Sequence, residues 1–190
     1  MNQNIEQLVN SILRDEKISS PPINAESLAE FRFGLDFDCC KLSDNEPAGL
    51  NVAEKKIYMN ELFADKFAAN IGFKNFTIAH ELGHWVLHRN LTQRHSREIE
   101  REAEKFAVYL LMPEELVREE FAKLNSSRFS RCFSAEDNLT TMANIFCVSR
   151  QAMRIRLSQD ELNLIYVKDG KCYRSREEFL EKVGGQIKLF

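Results

Sequence analysis

The 190-residue chain has little of what marks several large classes of protein. It holds only 7 glycines and 4 prolines, too few for collagenous or low-complexity chains. No apolar run approaches the roughly 20 residues needed to cross a bilayer, so no membrane span is expected. Neither sign of charge dominates: 26 Lys plus Arg face 29 Asp plus Glu, a net charge of -3. That balance argues against broad, non-specific binding to nucleic acid or anionic lipid. The five cysteines, Cys39, Cys40, Cys132, Cys147 and Cys172, include no C-x-x-C pair, and their odd count does not suit a disulfide scaffold. Reduced thiols in a cytoplasmic protein are the simplest reading. The N-terminal MNQNIEQLVNSILRDE is amphipathic and lacks an apolar h-region, so a secretory signal is not expected there.

Histidine is also scarce, and its placement is informative. All 4 histidines, His80, His84, His88 and His95, fall between residues 80 and 95. Hydrophobic residues make up 44% of the chain, enough for an ordinary core without a metal or disulfide merely to fold. The clustering therefore points to histidine used for chemistry.

Periodicity predicts an α+β fold, mostly helical, with a small antiparallel sheet beside the histidine-bearing helix. Ile5, Leu8, Val9, Ile12 and Leu13 have helical spacing. Asn24 can cap a second helix that Gly34 stops. Leu35, Phe37 and Cys39 alternate as in a strand, and residues 49–52 and 56–60 read as two more. Helical spacing then dominates to residue 124, interrupted by the basic stretch 89–97, a candidate substrate-contacting or solvated loop. Three parts are expected: a core over 1–124, a helix-turn-helix-like segment over 125–165 packed on it, and a hairpin and helix over 166–190. Asp169-Gly170 is the hairpin turn, and Ser175 with Glu178 forms a capping box for a last helix, ended by Gly184-Gly185.

The segment FTIAHELGHWVLH contains His80-Glu81-Leu82-Gly83-His84, the pattern H-E-x-x-H. On a helix, residues i and i+4 share a face about 6 Å apart along the axis, so both imidazoles can meet one ion. Neutral imidazole suits Zn²⁺. Glu81 is offset from that face yet within reach of a nucleophilic water, as a general base must be. Solvated surface histidines are the plainer alternative, but Ile78, Leu82, Trp85, Val86 and Leu87 require the helix to be largely buried. A structural zinc is a second alternative, and it usually closes with cysteines, none of which lies nearby.

A catalytic zinc takes three protein ligands and keeps one position open. His88 lies about 12 Å along the axis from His80, so a straight helix cannot bring it to the same ion, and it is expected to pack or to support the site. Leu87 and Asn90 stand where a metzincin would carry glycine and a third histidine, which excludes that class. The remaining source is a carboxylate from the helix over 98–112. Its buried face is defined by Ile99, Ala103, Phe106, Ala107, Leu110 and Leu111. Glu100 lies about 65° from the centre of that face, Glu102 and Glu104 about 95–105°, and Glu98 about 135°. Glu100 is best placed to turn inward, with Glu104 as a substitute or supporting carboxylate, whereas Glu98 and Glu102 suit a solvated face.

Taken together, these segments resemble the ImmA/IrrE family of zinc metallopeptidases. The resemblance extends from Pro22 and the Gly34 stop through KIYMN, FTIAHELGHWVLH and EREAEKFAVYLLMP to TTMANIFCVSRQAMRIRL. It implies one zinc ion held by His80, His84 and Glu100, with Glu81 as the catalytic glutamate. It also implies an intracellular endopeptidase that cleaves a helix-turn-helix repressor, often encoded nearby, and so derepresses a mobile element or stress genes. Two departures stand out: Asn75 replaces a basic residue common in relatives, and Glu104 replaces a common asparagine. KIYMN is expected to be a sheet edge that pairs with substrate backbone. Tyr58, His95 and Tyr109 are the candidates for an oxyanion donor, and the sequence does not choose among them.

Residues 137–158 read as helix, break, helix, with Ser149 as a cap and Arg150, Arg154 and Arg156 making the second helix basic. DNA contact is the sharper reading, and packing of a helical pair the better supported one. The competing function is accordingly a regulator that binds DNA or a partner without proteolysis, and a third is a zinc-stabilised interaction module.

Overall fold

A computed structural model describes residues 2–90, 96–126 and 134–187. The chain divides into two compact units, residues 1–113 and 114–190.

The first unit begins with helix α1 (Asn2–Asp15), which buries Ile5, Val9, Ile12 and Leu13 on one face. Asn24 caps the short helix α2 (Ala25–Ser27) by accepting from the Ser27 amide. A π-helical turn, Leu28–Arg32, follows and ends where Gly34 adopts φ +62, a left-handed conformation that glycine takes without strain. Three strands come next: β1 (Asp36–Cys40), β2 (Ala48–Asn51) and β3 (Lys56–Asn60). The order is β1-β3-β2. β2 and β3 pair antiparallel, as expected of a hairpin, whereas β1 runs parallel to β3. KIYMN is thus the central strand and not an edge; its hydrogen bonds are taken on both sides, and β1 and β2 are the outer strands. Alternation along one strand reports which face is buried, not which neighbour it takes, so the sequence alone did not reveal this order.

A short 3₁₀ turn leads into α3 (Ala64–Ala69), then α4 (Ile71–His88) and α5 (Arg97–Leu111). α4 is buried through Ile78, Ala79 and Leu82, and α5 through Ala103, Phe106, Ala107 and Leu110. Both α1 and α4 pack on α5, and β2 packs on α4.

The second unit holds α6 (Glu114–Ser126), α7 (Ala135–Ile145), α8 (Arg150–Ser158), the hairpin strands β4 (Tyr166–Lys168) and β5 (Lys171–Tyr173), and α9 (Arg176–Ile187). The sequence set its first boundary at 124; by contact, α6 groups with this second unit, where Arg118 donates to the carbonyls of Glu161 and Leu162. A Ser134–Asp137 capping box starts α7, and Ser149 caps α8. Leu139, Met142, Phe146, Met153 and Leu157 form the buried seam of this pair. Its arginines are engaged internally: Arg150 with Glu136, Arg154 with the Gly170 carbonyl, and Arg156, buried, with Gln159 and Glu161. Asp169 and Gly170 take φ 49 and 75, the left-handed pair of a two-residue hairpin turn. α9 runs through Gly184-Gly185, where the sequence ended it: neither glycine adopts the left-handed conformation of a cap.

Among the described residues, no helix is long and apolar enough to cross a membrane. Cys39, Cys40, Cys147 and Cys172 carry free thiols, and Cys132 lies outside the described residues.

Candidate metal centre

α4 is fixed at its start by side chains that the sequence supplies locally. Asn70 caps it by accepting from the Phe73 amide. Asn75 donates to the Ile23 carbonyl and accepts from the Ala25 amide, both at 2.8 Å. This amide clamp gives the departure at position 75 a structural role, because the two-sided bond needs a donor and an acceptor on one side chain.

One turn further on, the helix presents His80 and His84 together. Their Nε2 atoms are 3.1 Å apart. From α5, the Glu100 carboxylate comes to 3.2 Å from His80 Nε2 and 3.6 Å from His84 Nε2. The three donor atoms lie within 4.8 Å of one another. Donors about 2.0–2.1 Å from a tetrahedral ion stand roughly 3.3 Å apart, so two imidazoles and a carboxylate at this spacing fit Zn²⁺. Burial, and then the proximity of His80, push the His84 imidazole down to about 4. It is therefore neutral at physiological pH, with a lone pair to give to a metal.

Glu81 is 8% exposed and lies against the same cluster. Burial first, then the carboxylates of Glu100 and Glu46, raise its carboxyl to about 8. Among the described residues no cation pairs with it. A divalent ion nearby would favour the ionised form, in which the carboxylate can accept a proton.

Gly83 lies between the histidines, where α5 crosses. A Cβ there would stand 2.9 Å from the Ala103 carbonyl oxygen and 3.2 Å from Phe106 Cβ. The close approach of the two backbones requires glycine, and it is this approach that brings Glu100 to the histidines. Gly83→Ala is expected to destabilise the fold by about 1–3 kcal/mol, the usual cost of overpacking, measured as a lower urea midpoint with an unchanged slope.

The other predicted site residues divide clearly. His88 is buried, its ring lies 5.5 Å from that of His84, and its Nε2 is 2.9 Å from Glu102 Oε2, so it stands beside the triad and outside the donor set. Glu102, which the helical wheel assigned to a solvated face, is therefore a partner of a buried histidine; the wheel sees one helix and cannot see what crosses it. Glu104 is exposed and outside the cluster. The Tyr58 hydroxyl donates to Glu54, which with slight desolvation raises it to about 12, and it does not line the cleft. Tyr109 is buried in α5 and does not line the cleft either. His95 lies outside the described residues.

The cluster opens onto a cleft of about 680 Å³. One wall is α4, through Phe73, Phe76 and Thr77; the other is β2 with the preceding loop, through Pro47, Ala48 and Leu50. That loop is held by Asn60, buried at the end of β3, which donates to the carbonyls of Ser43 and Glu46 and accepts from the Leu42 amide. Neither Asn60 nor Glu46 was singled out in the sequence, since a polar residue ending a strand carries no distinguishing signal.

Residues 72–158 match the model of the Peptidase_M78 family, described as the IrrE N-terminal-like domain. No curated protein matches the sequence. Among solved structures, the fold is similar to a Mycobacterium tuberculosis transcriptional regulator, with a TM-score of 0.56 and 16% identity. The match covers 83% of this chain and 47% of the regulator, so the chain spans under half of that protein's length. At this identity the likeness speaks for the fold alone. The matched segment contains the H-E-x-x-H helix and the carboxylate that meets it, and its similarity to the Peptidase_M78 model, the IrrE N-terminal-like domain, agrees with the ImmA/IrrE resemblance.

Proposed function

We propose that this protein is a zinc-dependent endopeptidase of the cytoplasm that cleaves a regulatory protein, a helix-turn-helix repressor of a mobile element or stress response. The observation that carries this reading is the His80, His84 and Glu100 donor set, within 4.8 Å, beside buried Glu81 in a cleft flanked by a strand edge. Three ligands and an open side are the mark of a catalytic site rather than a structural zinc. The four free thiols agree with a reducing compartment.

His80, His84 and Glu100 would hold the ion. When bound, zinc supplies a Lewis acid for the scissile carbonyl and lowers the pKa of the attacking water. The residues do the rest. Glu81 takes the proton from the water as it attacks, then passes it to the leaving amine nitrogen, so the peptide bond breaks with its charges balanced. β2 is an outer strand of its sheet and lines the cleft, so it, rather than KIYMN, offers backbone donors and acceptors to an extended substrate. The apolar walls at Leu50, Phe73 and Phe76 exclude water from the peptide.

The competing regulator would read DNA with α8. Arg150, Arg154 and Arg156 are engaged within their own unit, which leaves a thin phosphate footprint and favours the peptidase reading. The test is incubation of the zinc-loaded protein with helix-turn-helix repressors encoded near its gene, followed by mass spectrometry. Two fragments summing to one such repressor are expected, and a chelator should suppress them. Intact repressors at stoichiometric enzyme, with zinc present, would overturn the proposal.

A further inference from the structure

Outside the triad, the unusual feature is the buried pair His88–Glu102. His88 is the last residue of α4 and only 3% exposed. Its Nε2 lies 2.9 Å from Glu102 Oε2, while its Nδ1 is buried with no hydrogen-bond partner among the described residues. An apolar residue at position 88 would bury the same volume without stranding a nitrogen, so stability alone does not explain the pair.

Its position supplies a reason. Glu100 is in the first turn of α5, and its side chain is 49% exposed, so packing does not hold the carboxylate at the histidines. Its place depends on how α5 is seated on α4. The buried faces of α4 and α1 seat it, and two contacts mark that seat beside the cluster. One is the backbone approach of Ala103 to Gly83, which fixes the distance between the helices. The other is His88–Glu102, which ties the same turn of α5 that carries Glu100 to the far end of α4. His80 and His88 are about 12 Å apart along α4, so Glu100 and Glu102 engage the helix on either side of the Gly83 crossing. A pivot that moved Glu100 off His80 would also break the buried bond to His88.

We propose that His88 and Glu102 are a positioning pair that locks α5 against rotation on α4 and so delivers the Glu100 carboxylate to the ion held by His80 and His84. This inference rests on the zinc reading above, but it concerns the geometry of the ligand set and not proteolysis.

The experiment is Zn²⁺ titration against a competing chelator, together with the absorption spectrum of the Co²⁺-substituted protein, for the parent, Glu102→Ala, Glu102→Gln and His88→Leu. Glu102→Ala should lower zinc affinity about 10–100-fold, the range for partners that orient a ligand, and alter the Co²⁺ spectrum. Glu102→Gln, which can still accept from His88, should recover most of the loss. His88→Leu, which fills the site but cannot tie the helices, should match Glu102→Ala; if it fails to fold, the two Glu102 variants decide. Glu104→Ala is the exposed control and should change nothing. A merely structural role would lower the melting temperature while leaving zinc affinity and the Co²⁺ spectrum of the folded protein at parent values, and that result overturns the proposal. A parent that takes up no zinc overturns the metal reading itself, and the positioning role with it. Parent-like binding by the variants overturns the positioning role alone.

Discussion

Glu81→Gln is expected to retain zinc and to lose peptide cleavage. Glutamine has nearly the same shape, so the buried position, 8% exposed, is filled without a cavity. His80, His84 and Glu100, which would hold the ion, are untouched. What disappears is the group that accepts and returns a proton, worth typically 10² to 10⁴ in rate. Zinc stoichiometry by elemental analysis and cleavage of the repressor measured side by side give the result. Parent-like cleavage by the zinc-loaded variant would remove Glu81 from the chemistry. The same variant reports on the metal-free protein. The Glu81 carboxyl is raised to about 8 in the fold, against an ordinary value of 4.5. A raised folded value means the protonated form is favoured by folding. The stability tied to it is complete below about pH 4.5, declines as pH rises, and is lost above about 8. The metal-free parent should therefore be less stable than metal-free Glu81→Gln at pH 8.5, by an amount on the order of a few kcal/mol, and close to it at pH 4. Urea midpoints at the two pH values measure this. A difference that does not grow with pH would mean that burial does not hold the carboxyl up.

Loss of a ligand is the second large effect. Glu100→Ala and His80→Ala should each weaken zinc binding by more than the ~100-fold seen when an orienting partner is removed, because a bond to the ion itself is lost. Both should fold, since Glu100 is half exposed and His80 faces the cleft. Glu104→Ala should bind zinc like the parent, and this comparison resolves the choice that the helical wheel left open. Strong loss at Glu104 with little at Glu100 would reverse the assignment of the third ligand. The structure favours Glu100 because its Oε2 comes within 3.2 Å of His80, whereas Glu104 is exposed and outside the cluster.

Much of this was legible in one dimension because the signals are local. The H-E-x-x-H spacing brings two imidazoles onto one face of any helix, and the apolar residues around it required that helix to be buried. Ser149 and Asn24 as caps, and Asp169-Gly170 as a turn, follow from hydrogen bonds and backbone angles within a few residues. The same geometry barred His88 from sharing an ion with His80.

The tertiary structure decided whatever depends on two elements meeting. It gave β3 two neighbours and left β2 as the strand beside the cleft, since a strand's alternation does not encode its partner. It paired Glu102 with His88, although on its own helix Glu102 belongs to the polar side. Asn75 and Asn60 gained purpose only as clamps on backbone from distant segments. The sequence by itself determined the chemistry available, two histidines, a base and a short list of carboxylates, because those follow from the period of one helix. Which carboxylate meets the histidines, and which strand faces them, was decided by the crossing of α4 and α5 at Gly83 and by the order of the sheet. Those are set by packing between segments, about which no single segment carries the information.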